Sequence, residues 1–511
     1  MALEMPRLPL QQLATLAICR FAEAVVLTSI VPYLPDMVEY VGVPKSDVPK
    51  WVGFTYTVTA TCAGSVGLLW GIISDFAGRK RIIILELTLM MAFTLLFGLS
   101  QHLVLLVMSR GLLGLVDGNI GIMRTMIAEM VPEKHLQPYA LSILSTAWTL
   151  GSGFGPALGG SLAHPAEQYP KVFGWVGILK VFPFALPNIA SSCFLAVAVT
   201  AASTFLHEGP AGQNTSHNHA PRLGRLLSSV CKRKTDTQAD TVNERTTLLG
   251  ERGEGHESEW SIPSWQDIVF SQPALIMFTS GVVSMHVMAF NSLFPVLLHY
   301  PAQPLQGNPD VQLPFKFSDP REIGLLYTLV TTPGMFVQLI VFPWATRRYG
   351  ILQCLRLASS FFPILYLLVP LVSLIPQPLG NAAVCLFLFL KAAGSTFAFQ
   401  CCMILLNQEA AALGILGALN GMSASISAFG RSLGPALMGI VFSFGVKRGY
   451  MVVPWWALAG FAALSSIPVA WMTESEVPQP ETNPCDEERR IDDEERVGSR
   501  DQGHTRRPLL L

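Results

Sequence analysis

The chain has 511 residues, of which 51% are hydrophobic and 14% charged, and its mean hydropathy is +0.44. Soluble domains carry roughly a quarter charged residues, so this composition excludes most soluble folds and predicts a polytopic membrane protein. The 34 basic and 35 acidic residues nearly cancel, and nothing in their pattern suggests a nucleic-acid partner.

In chain order, six apolar runs precede a polar middle: Leu13 to Leu34, Trp51 to Ile73, Ile82 to Leu99, Leu103 to Ala128, Tyr139 to Leu162 and Leu179 to Phe205. Six more follow: Ala274 to Leu298, Glu322 to Ala345, Cys354 to Ile375, Ala382 to Leu406, Leu416 to Phe444 and Val452 to Met472. A bilayer-spanning helix needs about 20 residues, and lipid admits only helices or closed barrels. The expected fold class is therefore an all-α membrane protein with twelve transmembrane helices in two six-helix repeats. Its expected parts are an N-terminal half over 1–205, a disordered cytoplasmic loop over 206–265, a C-terminal half over 266–473 and a disordered cytoplasmic tail over 474–511. The opening residues show neither a basic n-region nor a small-residue cleavage site, so the first run reads as a retained helix rather than a signal peptide.

Between the second and third runs lies Gly71 to Leu85, GIISDFAGRKRIIIL. Gly78 permits a tight turn, Arg79, Lys80 and Arg81 suit an anionic membrane surface, and Asp75 sits at a helix end. Short-loop basic residues mark the cytoplasmic side; Arg347 and Arg348 fall on the same side as Arg79, so both termini are expected in the cytoplasm. Lys447 and Arg448 fall on the opposite side and are outvoted. Asn214-Thr215-Ser216 is a glycosylation sequon by pattern, but this topology places it in the cytosol.

The fifth run carries Gly151, Gly153, Gly155, Pro156, Gly159 and Gly160, which leaves one helix face nearly bare and open to close helix contact. Gly155-Pro156-Ala157-Leu158-Gly159-Gly160 is echoed by Gly434-Pro435-Ala436-Leu437-Met438-Gly439, and the turn at Asp75 to Gly78 is echoed in degraded form at Arg347 to Gly350. Parallel repeats of this kind occur in transporters.

Ionisable residues inside apolar runs are costly and should face a cavity or a partner. Arg20 and Glu23 lie on one helix face, with Glu23 roughly mid-membrane, where a carboxyl can load and release a proton; a permanent structural ion pair is the alternative. Arg110, Asp117 and Arg124 recur at seven-residue steps and predict one charged stripe. Glu129 is placed to pair with Arg79. Lys391 and Arg431 are the clear intramembrane charges of the second half and candidates for an anionic substrate group. Cys401 and Cys402 read as packing residues, and the nine cysteines show no close metal-ligand spacing.

The pattern Gly71-x-x-x-Asp75-x-x-Gly78-Arg79-Lys80 resembles the loop between helices 2 and 3 of the major facilitator superfamily. That resemblance implies a gating latch, to which Arg124 and Glu129 are assigned as well. Phe76 stands where many members carry Arg or Lys. Gly151 and Gly155-Pro156-x-x-Gly159-Gly160 resemble the motif that marks antiporters of the family. Arg110-Gly-Leu-Leu-Gly114 is similar to its fourth-helix motif, whose arginine is associated with proton transfer. The words Cys19-Arg20-Phe21-Ala22-Glu23, Pro32-Tyr33-Leu34-Pro35 and Trp70-Gly71 look most like the zinc-induced facilitator-like group of fungi and plants, among twelve-helix drug:proton antiporters. The Cys-Pro-Gly-Cys element associated with plant members is missing.

The resemblance implies a proton-coupled antiporter, not an enzyme, moving a small organic solute, xenobiotic or metal chelate by alternating access. Its expected partners are that solute, protons and the lipid bilayer. No cofactor and no bound metal are expected, and a monomer is. A sensor with the same fold and a uniporter are the other readings. Glu244 to Leu249 matches an acidic dileucine signal for a vacuole or endosome, and the plasma membrane is the alternative location. His207, His217 and His219 read as residues of a solvated tether.

Overall fold

The computed structural model describes residues 9–131, 137–208, 272–299, 319–372, 375, 379–412, 416–450 and 452–473. The polar middle and the tail, with the sequon, the dileucine match, His217 and His219, lie outside the described residues. Among the described residues ten helical stretches are long and apolar enough to cross a membrane. The chain is an integral, multi-pass, all-α membrane protein.

Helix α1 (Leu10–Ser29) stops short of the predicted Leu34. Pro32 has no N–H to donate and its ring clashes with the carbonyl four residues back, so the chain turns and restarts as α2 (Leu34–Tyr40). Next come α3 (Val48–Ala77) and α4 (Arg79–Gly98), separated only by Gly78 at φ +94°. That left-handed conformation favours glycine.

The fourth apolar run is not one helix. It is split into α5 (Leu103–Val116) and α6 (Asn119–Met130) by Asp117 and Gly118, with Asp117 at φ −80°, ψ 67°. The single charged stripe expected for Arg110, Asp117 and Arg124 is therefore broken at its middle member. Arg110 is buried, Asp117 half-buried and Arg124 exposed.

Helix α7 (Gln137–Leu162) leads through three short turns, α8 (Pro165–Gln168), α9 (Pro170–Phe173) and α10 (Gly177–Val181), into α11 (Ala185–Phe205). Beyond the polar middle runs α12 (Gln272–His299). The eighth run is α13 (Pro320–Phe336), a π-helical turn over Val337–Val341, and α14 (Phe342–Tyr349). Pro343 cannot donate to the carbonyl four residues back, and the backbone widens locally into i→i+5 pairing. Then come α15 (Ile351–Val372), α16 (Leu379–Ala412), α17 (Leu416–Arg448) and α18 (Val453–Trp471). Gly350, at φ +83°, joins α14 to α15 as Gly78 joins α3 to α4, so the degraded echo at Arg347 to Gly350 keeps the same turn.

The small residues of α7 divide between two partners. Side chains added at Gly151, Gly155 and Gly159 would strike α1, at the Phe21 carbonyl, the Thr28 hydroxyl and the Ser29 carbonyl. One at Gly160 would strike Pro320 of α13, and Gly324 of α13 in turn lies against the carbonyl of Pro156. Helix α17 repeats this arrangement. Its Gly430 and Gly434 lie against α12 at Gly281 and Met285, while its Pro435 carbonyl lies against Gly53 of α3. The sequence echo around Pro156 and Pro435 is thus an echo of packing.

Residues before and after the polar middle meet along a seam formed by α7 with α13 and α17 with α3. At the end away from Gly78, here the far end, the seam is closed by polar contacts. Lys447 Nζ lies 2.6 Å from Asp47 Oδ1, Gln168 Nε2 donates to Asp319 Oδ1 at 3.2 Å, and the Lys50 amide donates to Ser443 Oγ at 3.1 Å. Lys447, which opposes the charge rule, is thereby accounted for. Toward the end that carries Gly78, side chains added at Gly67, Gly71 or Gly421 would meet nothing within 4 Å among the described residues. Among the described residues the seam is bridged at its far end and less filled toward the end that carries Gly78.

Candidate functional site

Arg20 and Glu23 occupy one face of α1, and Arg20 Nη1 donates to Glu23 Oε2 at 2.7 Å. Glu23 is fully buried; among the described residues no donor reaches its Oε1, and the Asp117 carboxyl is its neighbour. The guanidinium also lies 4.0 Å from the ring centroid of Trp148 on α7, an attraction that holds the cation without neutralising it. The predicted pair is real, and one carboxylate oxygen is left over.

Asp117, at the break between α5 and α6, connects the other charges. It interacts electrostatically with Glu23 on α1, Glu86 on α4, Arg110 on α5 and Arg431 on α17. Arg110 is buried, lies 5.8 Å from the Phe97 ring and interacts with Tyr33 and Tyr56. Arg431 is exposed, so Asp117 couples a buried group of the first half to an accessible one of the second. A cavity of about 820 Å³ lies elsewhere: it is mostly apolar, with Trp344, Leu357, Phe361 and Phe397 of α14 to α16 in its lining. Charge, not cavity size, marks the site.

The second half holds a separate polar group that sequence reading found only in part. Lys391 on α16 is buried, donates to Asn291 Oδ1 and lies 5.0 Å from the Phe290 ring. Close to it, His286 Nδ1 is 3.0 Å from the Tyr366 hydroxyl. Asn291, His286 and Tyr366 were not singled out, because a lone polar residue in an apolar run carries no spacing signal. Glu86, in the first half, is a carboxylate within an apolar run and was likewise not singled out from the sequence.

Two contacts beside the Gly78 turn are formed. Arg79 Nη1 lies 2.7 Å from Glu129 Oε2, joining α4 to α6 as expected, and Lys80 Nζ donates to the Ser203 carbonyl at 2.8 Å. The side chain of Asp75 lies outside the described residues. Gly71 is half-buried, and the neighbouring Trp70 indole donates to the Leu115 carbonyl at 2.7 Å, beside the α5–α6 break. Arg79→Ala should lower stability by about 1 kcal/mol or less, the scale of a water-accessible pair, yet reduce initial transport rates several-fold by freeing α6. Thermal melts and flux on one preparation check this, and equal flux in both proteins would refute it.

At the far end, His164 Nε2 lies 2.6 Å from Asp36 Oδ2, with Glu167 4.0 Å from its other nitrogen. Burial works against its cation, but the hydrogen bond and charge of Asp36, with Glu167 and Asp319, outweigh this and raise its pKa above the usual histidine value. A raised folded-state pKa gives stability that is complete below the unfolded value and is lost as pH rises through the folded one. Far-end stability should therefore fall on going from acid to neutral and mildly alkaline pH, and His164→Gln should flatten that slope in melts taken across the range.

The helix order, the glycine-mediated packing and the buried charges next to a seam define a solute-transport fold. The family model for the Major Facilitator Superfamily matches residues 16–430, and the chain belongs to that superfamily, whose members are transporters rather than enzymes. It is 32% identical over 510 residues to the major facilitator superfamily multidrug transporter mfsB of Aspergillus fumigatus, covering 92% of this chain and 84% of that one. It is 29% identical to the protein Zinc Induced Facilitator 1 of Arabidopsis thaliana, covering 86% and 85%. The comparisons support the superfamily, while the narrower zinc-induced facilitator-like placement is not separated from the multidrug type. Among solved structures, the nucleoside transporter NupG superposes with a TM-score of 0.61 at 15% identity, covering 91% of this chain and 100% of that one.

Proposed function

We propose that the chain is a proton-coupled antiporter that moves a small organic solute or xenobiotic across its membrane by alternating access. The observation that carries this reading is Glu23. It is a buried carboxylate with one oxygen paired to Arg20 and the other without a donor among the described residues, next to the Asp117 carboxyl at a helix break beside the seam. Such a group can take up a proton when the seam opens to one side and release it to the other. The small-residue face of α7 resembles the antiporter motif, and the multidrug name of the Aspergillus relative points to organic solutes. The efflux pump azaK of Aspergillus niger, 24% identical over 477 residues, points the same way.

In this reading twelve helices span the bilayer as two six-helix repeats, with α5–α6 and α13–α14 each counting as one. Both termini and the latch end are cytoplasmic, so the less filled end of the seam faces inward. Asp75, Arg79, Lys80, Arg124 and Glu129 form the inner latch, while Arg110, Asp117, Lys391 and Arg431 line the route of proton or solute. The N-terminal words favour a place near the zinc-induced facilitator-like group, in a vacuolar or plasma membrane, as a monomer. The test is counterflow in proteoliposomes over a panel of organic cations, organic anions and metal chelates, with and without a pH gradient. Gradient-stimulated exchange supports antiport; gradient-independent flux indicates a uniporter, and no flux for any solute indicates a sensor.

A further inference from the structure

We infer that Glu86 is a second proton-binding site, set against the break between α5 and α6. This extends the proton-coupled reading and rests on it for its role in transport. Glu86 on α4 is fully buried, and among the described residues neither of its carboxyl oxygens has a hydrogen-bond partner. The carboxyl is aimed at the break: a side-chain carbon at Gly118 would stand 2.8 Å from Glu86 Oε1 and 2.7 Å from the Trp70 ring. The site is thus a three-sided one, made by Glu86, the Trp70 indole and the backbone of Gly118.

Its charged surroundings are acidic. The groups that act on Glu86 are Glu23 of α1 and Asp117 of the break. Arg20 is committed to Glu23, and Arg110 interacts with Tyr33 and Tyr56. Arg124 on α6 is exposed. From α3 the neighbour is Trp70, whose N–H is committed to the Leu115 carbonyl. From α11, Leu195, Ala198 and Ala202 share one core cluster with Ile83, Leu87 and Met90 of α4, while the polar Asn188 lies farther along, against Gly98. An ionised carboxylate without a donor is far costlier to bury than its neutral acid, so this geometry is that of a carboxyl carrying its proton.

Release of that proton changes what the break must do. The first amides of a helix have no intrahelical acceptors and attract negative charge, and α6 begins one residue beyond Gly118. A deprotonated Glu86 therefore draws the start of α6 toward itself. Because α6 also carries Glu129, the partner of Arg79, the proton on Glu86 is linked to the latch through one short helix.

The experiment is infrared difference spectroscopy of purified, reconstituted protein stepped in pH, read at the carboxylic-acid C=O stretch, with pH-gradient-driven uptake measured on the same vesicles. Wild type should show a buried-acid band that Glu86→Gln removes and Glu86→Asp shifts, and Glu86→Gln should lower gradient-driven accumulation at least tenfold while counterflow persists. Should Glu86→Gln fail to fold, the band shift in Glu86→Asp decides the assignment. A band unchanged in both variants overturns the proposal, as does a wild-type band that responds to Na⁺ at constant pH. If wild-type transport ignores the pH gradient, the antiport reading fails, while the band still decides whether Glu86 holds a proton.

Discussion

Glu23→Gln should abolish pH-gradient-driven solute accumulation in proteoliposomes while leaving solute exchange measurable. Glutamine keeps the shape of the side chain and accepts from Arg20 through its amide oxygen, but it cannot titrate. The α1–α7 contact that positions this residue does not involve the carboxyl: it is made by Gly151, Gly155 and Gly159 against backbone and side-chain atoms of Phe21, Thr28 and Ser29. The variant should therefore fold, and its defect should lie in coupling. An exchange step that carries no net proton needs only the moving halves and a bound solute, so counterflow should persist. Retention of gradient-driven accumulation would make Arg20–Glu23 a structural ion pair, and Asp117 would become the first candidate for the carrier.

What could be read from the sequence, and what could not, follows from the range of each interaction. The Arg20–Glu23 pair is a matter of helical spacing and needed no tertiary knowledge; the structure shows it at 2.7 Å. The glycine faces of α7 were legible for the same reason, and so was the turn at Gly78, whose positive φ is a local property. Arg79–Glu129 was legible because a charge at each of two helix ends on one side of the membrane has few other partners. The break at Asp117–Gly118 was not. Apolar residues flank it on both sides, a lone glycine in a helical pattern is tolerated, and the Trp70 indole that takes up the Leu115 carbonyl comes from another helix. Glu86 was missed with it, since its isolation is defined by what surrounds it. Lys447 was read as a topological exception because Asp47, its partner, lies on a distant part of the chain.

Two glycine substitutions of equal size should have different consequences, and the difference tests whether the seam moves. Gly159→Val drives a branched side chain into the Ser29 carbonyl, within the first half. Overfilling a packed contact costs about 1–3 kcal/mol, and backbone on both sides leaves little room for relief. Gly159→Val should therefore lower the yield of monodisperse protein and its melting temperature. Gly324→Val makes the same collision with the Pro156 carbonyl, but across the seam between α13 and α7. If that seam opens during transport, the clash is present in the far-end-closed state and relieved in the opposite one. A penalty of about 1–3 kcal/mol then shifts the two populations roughly 5- to 150-fold. Gly324→Val should fold, lose most of its transport, and increase alkylation of a Ser443→Cys reporter placed where Ser443 accepts from the Lys50 amide. Gly53→Val, which meets the Pro435 carbonyl at the matching contact between α3 and α17, should do the same. If Gly324→Val instead behaves as Gly159→Val does, losing folded protein without added labelling, the seam is a fixed interface and the rocking of two halves is wrong for this chain.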